Sequence, residues 1–187
     1  MNRVFEAALE IDGFCRARGW AFCIIGGVAV QRWGEPRGTQ DVDLTILTGF
    51  GHEERFVDDL LGSFAPRGDD ARTLALQRRV ILARSTNETP IDAALGALPY
   101  EERAIQRASE YEIAPGRSIL TCSAEDLVVL KAFAGRVLDW HDVKGVAIRQ
   151  AGGLDEKLIF RELTPLLELK GTPEAAGQLR EILRQAQ

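Results

Sequence analysis

The chain has 187 residues, of which 45% are hydrophobic and 27% charged, and its formal net charge is −5. This balance is typical of a globular domain with a small appendage and excludes a disordered chain, and the lack of long basic runs disfavours an extended nucleic-acid groove, though not a local basic pocket. The three cysteines form no CxxC pair, which favours a cytoplasmic protein with reduced cysteines, two of them buried. The acidic start of the sequence disfavours a signal peptide, and the lack of an apolar run of about 20 residues disfavours a membrane span.

Hydrophobic periodicity predicts alternating helices and strands over the first two thirds of the chain. In chain order, the predicted elements are a helix over 2–18, a strand over 20–25, a helix over 28–33, a strand over 41–47, a helix over 52–61, a polar loop over 67–70, strands over 79–84 and 89–93, a helix over 98–108 and an extended segment over 111–120.

The pattern changes at Ser123, where a capping-box sequence opens a stretch that favours helix throughout. Glycines and prolines divide this stretch into predicted helices over 123–138, 139–151, 155–163, 165–169 and 173–186. The sequence therefore predicts an α+β fold. A mixed β-sheet flanked by helices forms residues 1–122, and a C-terminal helical region, residues 123–187, packs on it.

Two aspartates, Asp41 and Asp43, are spaced i, i+2 on the second predicted strand. Alternate side chains of a strand share a face, so both carboxylates project the same way while Val42 and Leu44 fill the other face. Neighbouring carboxylates repel unless a cation lies between them, and their oxygens suit Mg²⁺ bound to substrate phosphates. The alternative is a pair of solvent-facing residues on an edge strand.

A glycine pair, Gly26-Gly27, joins the first predicted strand to the helix that follows it. Glycine lets the backbone approach a ligand closely, and the amino end of a helix favours an anion such as a triphosphate. The alternative is an ordinary tight turn between a strand and a helix.

A third carboxylate is expected if two metal ions assist phosphoryl transfer. Asp92 fits, because it alternates with Ile91 and Ala93 in a predicted strand and so points away from their face. The alternatives are that Asp92 is a surface residue beside a hairpin, or that the third acid lies in a loop, at Asp69, Asp70 or Glu88.

Three further residues are candidates for nucleotide contacts. Lys131 lies inside the apolar stripe of the predicted 123–138 helix, where a lysine either extends its amine to solvent or meets an anion, and a phosphate contact is favoured here. Arg37 and Thr39 precede the acid pair. Arg37 either holds a phosphate or the acceptor, or pairs with Glu35 in the loop.

These residues together resemble the nucleotidyltransferase superfamily that shares the DNA polymerase β-like core. The pattern is a glycine pair after a first strand, Asp-x-Asp on the second and a third acid on a later one. The longer sequence motif GGxAxxxxGxxRxTxDxD, over residues 26–43, resembles that of the AbiEii/AbiGii toxin-type nucleotidyltransferases. A second motif of that family, Lys-x4-Arg followed by Asp-x2-Asp, matches Lys131, Arg136, Asp139 and Asp142.

The resemblance implies an enzyme that moves a nucleoside monophosphate (NMP) from an NTP to an acceptor hydroxyl, with two Mg²⁺ ions and release of pyrophosphate. Gly26 and Gly27 would receive the triphosphate, and Asp41 and Asp43 would hold the metals. Asp92 would complete the metal site and activate the acceptor, and Lys131 would neutralise phosphate charge. The acceptor would be an RNA end, a protein side chain or a small molecule.

The resemblance also implies a toxin–antitoxin or phage-defence setting, in which a cognate protein partner is expected. Two other functions stay open from the sequence. One is a catalytically weak or inactive module that binds nucleotide or a partner, although an intact set of three acids argues against full degeneration. The other is a metal-dependent phosphoesterase, which the lack of a histidine-rich metal site disfavours.

Overall fold

The computed structural model describes residues 2–186, in which helices and strands alternate before a run of helices. The strands are β1 (Phe22–Ile24), β2 (Val42–Leu47), β3 (Ala65–Pro66), β4 (Val80–Arg84), β5 (Pro90–Gly96), β6 (Ser109–Ala114) and β7 (Arg117–Thr121). The helices are α1 (Arg3–Ala17), α2 (Gly26–Trp33), α3 (Glu53–Leu61), α4 (Ala71–Arg78), α5 (Pro99–Gln106), α6 (Ala124–Ala134), α7 (Val137–Arg149), α8 (Glu156–Lys170) and α9 (Ala175–Gln185).

The chain forms two compact units. The first unit takes the residues up to Val28 together with Gly38–Cys122, and the second unit takes Ala29–Arg37 together with the residues from Ser123 onward. The predicted α+β class is confirmed, because a mixed sheet with flanking helices precedes a purely helical stretch. The predicted boundary at residue 122 stays a prediction, and the second unit includes a segment from the first half of the chain.

A single mixed sheet organises the first unit. Its seven strands lie in the order β3-β4-β5-β2-β1-β7-β6. At its centre β2 and β5 run parallel, while β1 pairs antiparallel with β2 and β4 pairs antiparallel with β5. Parallel neighbours require a long crossover connection, which α3, β3, α4 and β4 supply here.

One face of this sheet is buried in the hydrophobic core. The buried residues of β2 and β5 alternate along each strand and pack with the apolar sides of α1 and α3. They are Val42, Leu44, Ile46, Ile91, Ala93 and Leu95 from the strands, with Val4, Ile11, Phe56 and Leu60 from the helices. The intervening residues of β2 and β5 must therefore point to the opposite face.

The second unit is held together by apolar contacts among its own helices. α6 packs on α7 and α8, and α9 packs on α7 and α8. Their buried side chains include Leu127, Val128, Val143, Val146, Ile159, Leu163, Leu179 and Leu183. None of the helices within the described residues is long and apolar enough to span a bilayer.

The predicted helix break before Pro165 is wrong, because α8 continues through this proline. A proline inside a helix removes one backbone hydrogen bond and costs about 3 kcal/mol. Ile159, Leu163 and Leu167 lie on one side of α8 and are buried, with at most 1% of each side chain exposed. Burial of three such side chains, at about 1.5–3 kcal/mol each, outweighs the lost hydrogen bond.

Two short elements, β3 and α4, escape the sequence-based prediction. α4 buries only Ala71 and Ala75, so its apolar pattern is too weak to indicate a helix. β3 is two residues long and exists only through pairing with β4. The three cysteines are all free and buried, one more than predicted.

Candidate active site

Two neighbouring strands bring a pair of predicted site residues together. β2 and β5 pair with Asp43 directly opposite Asp92. Registered residues on adjacent strands project from the same face, and the residues before them, Val42 and Ile91, are fully buried in the core. The side chains of Asp43 and Asp92 therefore both project from the face of the sheet opposite the core.

Asp41 belongs to the same electrostatic group. It lies two residues before Asp43, directly before the first residue of β2. Burial raises the pKa of the Asp92 carboxyl, the positive charge of Arg67 works against this rise, and the negative charge of Asp41 adds to it. The three acids are called the acid cluster below. Asp43 and Asp92 share a face of the sheet, the charge of Asp41 acts on Asp92, and the catalytic and metal-binding roles of all three stay predictions.

Gly26 brings the backbone into contact with this cluster. It has a left-handed conformation, with φ of +61°, and a Cβ placed on it would lie 2.7 Å from Cγ of Asp43. The neighbouring amide of Ile25 donates to the carbonyl oxygen of Asp43 at 2.9 Å. Only glycine combines this backbone conformation with such a close approach, so the first residue of α2 is fixed beside the carboxylate.

Gly27 makes room for a side chain that orients Asp41. A Cβ on Gly27 would lie 2.7 Å from Cβ of Thr39. The hydroxyl of Thr39 in turn donates to Oδ1 of Asp41 at 3.0 Å. Thr39 therefore positions a member of the acid cluster, and its predicted contact with a nucleotide stays a prediction.

Arg67 is a member of the site that the sequence analysis did not identify. Nη2 of Arg67 donates to Oδ1 of Asp92 in an ion pair. The backbone N–H of Arg67 donates to the carbonyl of Leu82 at 2.9 Å, and Leu82 lies opposite Asp92. A row across the sheet therefore runs from Arg67 through Leu82 and Asp92 to Asp43. No local sequence pattern predicts this row, because it depends on the pairing of β3, β4 and β5.

The chemistry of the acid cluster fits Mg²⁺, which binds carboxylate oxygens and tolerates little else from a protein. Within residues 2–186, however, no three side chains of the His, Cys, Asp or Glu types are grouped so that they could hold a metal ion. The ion pair with Arg67 is one contact that a metal at Asp92 would have to share or replace. The metal site at Asp41, Asp43 and Asp92 therefore stays a prediction.

The other two predicted nucleotide contacts, Arg37 and Lys131, come together in the second unit. Nζ of Lys131 lies 2.8 Å from Oδ2 of Asp142 and 3.0 Å from Oδ1 of Asp139. Nε of Arg37 lies 2.6 Å from Oδ1 of Asp142, and Nε of Arg136 lies 2.6 Å from Oδ2 of Asp139. Lys131 is buried and meets anions, but these anions are aspartates of its own chain. Its phosphate contact stays a prediction.

These five residues, called the ion-pair network below, include all four matches to the Lys-x4-Arg and Asp-x2-Asp motif. Burial alone would raise the pKa of Asp139, but hydrogen bonds from Arg136 and Lys131 outweigh it and lower that pKa. Likewise, hydrogen bonds from Arg37 and Lys131 outweigh burial and lower the pKa of Asp142. Both aspartates are therefore held in their charged form inside the second unit.

Comparison with known proteins rests on structure alone, since no family model and no curated protein sequence matches the chain. The solution structure of the antibiotic-resistance factor ANT(2'')-Ia is similar with a TM-score of 0.50 and 15% identity, covering 95% of this chain and 97% of that one. At this identity the likeness shows the fold alone, and it confirms the nucleotidyltransferase-type fold that the sequence predicts.

Two further solved structures are more distantly similar. The crystal structure of ANT(2'')-Ia in complex with adenylyl-2''-tobramycin has a TM-score of 0.44 and 17% identity, covering 97% of this chain and 95% of that one. An antigenic nucleotidyltransferase-like protein from Paracoccidioides brasiliensis has a TM-score of 0.45 and 14% identity, covering 88% of this chain and 77% of that one.

Proposed function

We propose that this protein is a Mg²⁺-dependent nucleotidyltransferase that moves an NMP from an NTP to an acceptor hydroxyl and releases pyrophosphate. The observation that carries the proposal is the register of Asp43 opposite Asp92, with the negative charge of Asp41 acting on Asp92 and the backbone of Gly26 against Asp43. Three carboxylates beside a glycine-opened helix combine a place for divalent cations with a place for phosphate.

Each residue of the first unit has a distinct role in this proposal. The backbone of Gly26 and Gly27 and the amino end of α2 receive the triphosphate, because exposed N–H groups there favour an anion. Asp41 and Asp43 hold the two metal ions, with Asp92 completing the set. Mg²⁺, when bound, would offset the charges of the phosphates and carboxylates.

Asp92 also accepts a proton in the proposed reaction. The acceptor hydroxyl loses its proton to the Asp92 carboxylate as its oxygen attacks the α-phosphorus, and pyrophosphate leaves from the opposite side. Burial, opposed by the charge of Arg67 but reinforced by that of Asp41, raises the pKa of Asp92.

The acceptor and the biological setting belong to the same proposal. An RNA end, a protein side chain and a small molecule each offer a hydroxyl, and a complex of ANT(2'')-Ia holds an adenylylated small molecule, tobramycin. The likeness of residues 26–43 to the AbiEii/AbiGii type supports a cytoplasmic toxin–antitoxin or phage-defence role with a cognate protein partner. In this family pattern Arg37, Thr39 and Lys131 contact the nucleotide.

A catalytically weak nucleotide-binding module is the second candidate function. The observation that favours it is the ion pair of Asp92 with Arg67, which engages the residue proposed as the base. The two candidates share nucleotide binding and differ in transfer.

Nucleotide binding can be tested by thermal unfolding with each of the four NTPs, with and without Mg²⁺. We expect Tm to rise only when both are present, because Mg²⁺ would offset the repulsion between the phosphates and the carboxylates of the acid cluster. At about 100 times the Kd, binding adds about 2.7 kcal/mol, or about 5–10 °C in Tm for a chain of this size. Asp43→Asn should abolish the rise. Asp59→Asn, on the exposed side of α3, makes the same charge change and should keep it.

In the same experiment, two glycine-to-alanine variants separate the effect of a steric clash with Asp43 from the effect of backbone strain. Gly26 and Gly19 have nearly the same φ, +61° and +64°, but a Cβ on Gly19 meets nothing within 4 Å. Gly26→Ala should therefore lose the nucleotide-dependent rise, while Gly19→Ala lowers Tm without affecting it. Equal nucleotide responses in the wild type, Asp43→Asn and Gly26→Ala would contradict the proposed site.

A further inference from the structure

Arg67 forms an ion pair with Asp92, one of the three residues of the acid cluster. Its guanidinium pairs with Asp92, and the two side chains are 24% and 33% exposed. Asp43 lies in register beside Asp92 on the same face of the sheet. A cluster of three carboxylates thus has an arginine at one end, where it removes part of the mutual repulsion.

The backbone fixes Arg67 in place for this contact. Its N–H donates to the carbonyl of Leu82 at 2.9 Å, directly after β3, and Leu82 is registered opposite Asp92. The side chain therefore starts from a paired position in the sheet and spans one neighbouring strand. The ion pair follows from the strand register.

The guanidinium is incompletely satisfied in this position. Its Nε is buried and has no hydrogen-bond acceptor among the described residues. A buried N–H without an acceptor costs free energy, and the charge of Asp92 is what holds the guanidinium there. This contact can be replaced by a cation of higher charge.

We infer that Arg67 is an internal counter-ion of Asp92, which holds this carboxylate in the free protein and gives way to the divalent cation that arrives with the nucleotide. Two cations cannot occupy the same side of one carboxylate without strong repulsion. Arg67 is thus a positioning residue. Arg67 weakens binding of a metal ion alone, because its positive charge repels the ion from Asp92. The inference rests on the proposed function only for the identity of the incoming cation.

Removal of the positive side chain of Arg67 should raise the affinity for a divalent cation in the absence of nucleotide. Titration of Mn²⁺ into the purified full chain, with free Mn²⁺ followed by electron paramagnetic resonance, measures this directly. We expect Arg67→Met to bind Mn²⁺ about tenfold more tightly than the wild type. Arg67→Gln should show the same direction, and circular dichroism establishes that both variants are folded.

A second arginine on the same face is a matched control. Arg84, on β4, is registered opposite Pro90 of β5, two residues along from the pair of Leu82 and Asp92, and its guanidinium is 4.0 Å from Glu88. Arg84→Met removes the same charge without touching Asp92, so its Mn²⁺ affinity should stay within about twofold of the wild type. Adding Asp92→Asn to Arg67→Met should remove the gain.

Three results would overturn the inference. These are equal Mn²⁺ affinity in wild type and Arg67→Met, an equal gain in Arg84→Met, and a gain that persists with Asp92→Asn. NMP transfer is measured separately. A chain that transfers no NMP but shows the Arg67 effect would refute the proposed function and support the counter-ion. A chain that transfers NMP without the Arg67 effect would do the reverse.

Discussion

Asp92→Asn is expected to lower NMP transfer about 10²–10⁴-fold, a larger loss than the drop in Mg²⁺-dependent NTP affinity that follows from removing one of three carboxylates. Asparagine has nearly the same shape but cannot accept the proton of the acceptor hydroxyl. Asp43 on the neighbouring strand and Asp41 directly before that strand remain for the metal and nucleotide. The measurement is transfer of label from an α-³²P-NTP to three acceptor pools: RNA, protein extract and aminoglycosides such as tobramycin.

The matched control for this variant is Asp69→Asn. Asp69 is the rival third acid, exposed in the loop that follows Arg67. Its replacement should leave transfer unchanged, because no strand register places it beside Asp43. Loss of transfer in Asp69→Asn with full activity in Asp92→Asn would move the proton acceptor to the loop and contradict the assignment.

Lys131→Met is expected to lower the free energy of unfolding by about 3–5 kcal/mol. Asp139 and Asp142 are only 1% and 2% exposed, and the variant removes a cation that both of them contact. Each aspartate keeps one arginine, Arg136 or Arg37, but the two buried carboxylates lose the one buried cation that they share, and this loss is strongly destabilising. Urea unfolding at pH 7 measures the change.

Lys144→Met provides the control, since Lys144 is exposed on α7 and its replacement should change stability by no more than about 0.5 kcal/mol. The same pair of variants also tests the predicted phosphate contact. If Lys131→Met unfolded like the wild type yet lost nucleotide binding, Lys131 would be a phosphate ligand and its ion pairs incidental. Loss of stability without loss of nucleotide affinity would assign it to the network.

Acid unfolding is a second measurement of this network. The folded-state pKa values of Asp139 and Asp142 are lowered by their basic partners, against the effect of burial. Their contribution is therefore fully present above the unfolded-state pKa of about 3.9 and is lost as pH falls through the folded-state values. The stability difference between wild type and Lys131→Met should accordingly shrink below about pH 4.

The sequence predicts the acid cluster because strand alternation is a local property. Each of Asp43 and Asp92 lies between apolar residues that the structure buries, so the side of the strand that each faces can be predicted without knowing the partner strand. Their alignment requires the register of β2 with β5, which residue patterns alone do not give, and the family resemblance indicates only that a third acid lies on a later strand.

Arg67 and the partners of Lys131 lie beyond what local patterns can predict. The sequence shows a lysine in an apolar stripe, which indicates an anion nearby but not whether it is a phosphate or an aspartate. The packing of α7 against α6 brings Asp139 and Asp142 to Lys131, and the phosphate contact stays a prediction. The partner of Arg67 depends in the same way on three paired strands, one of them only two residues long.

The central claim is that the acid cluster binds divalent cations together with the phosphates of an NTP. Crystals grown with Mn²⁺ and a non-hydrolysable NTP analogue, measured at the manganese absorption edge, test it most directly. We expect an anomalous peak about 2.0–2.2 Å from carboxylate oxygens of Asp41 and Asp43, with the triphosphate against Gly26 and Gly27. A nucleotide bound elsewhere, or manganese that avoids Asp43, would contradict this account.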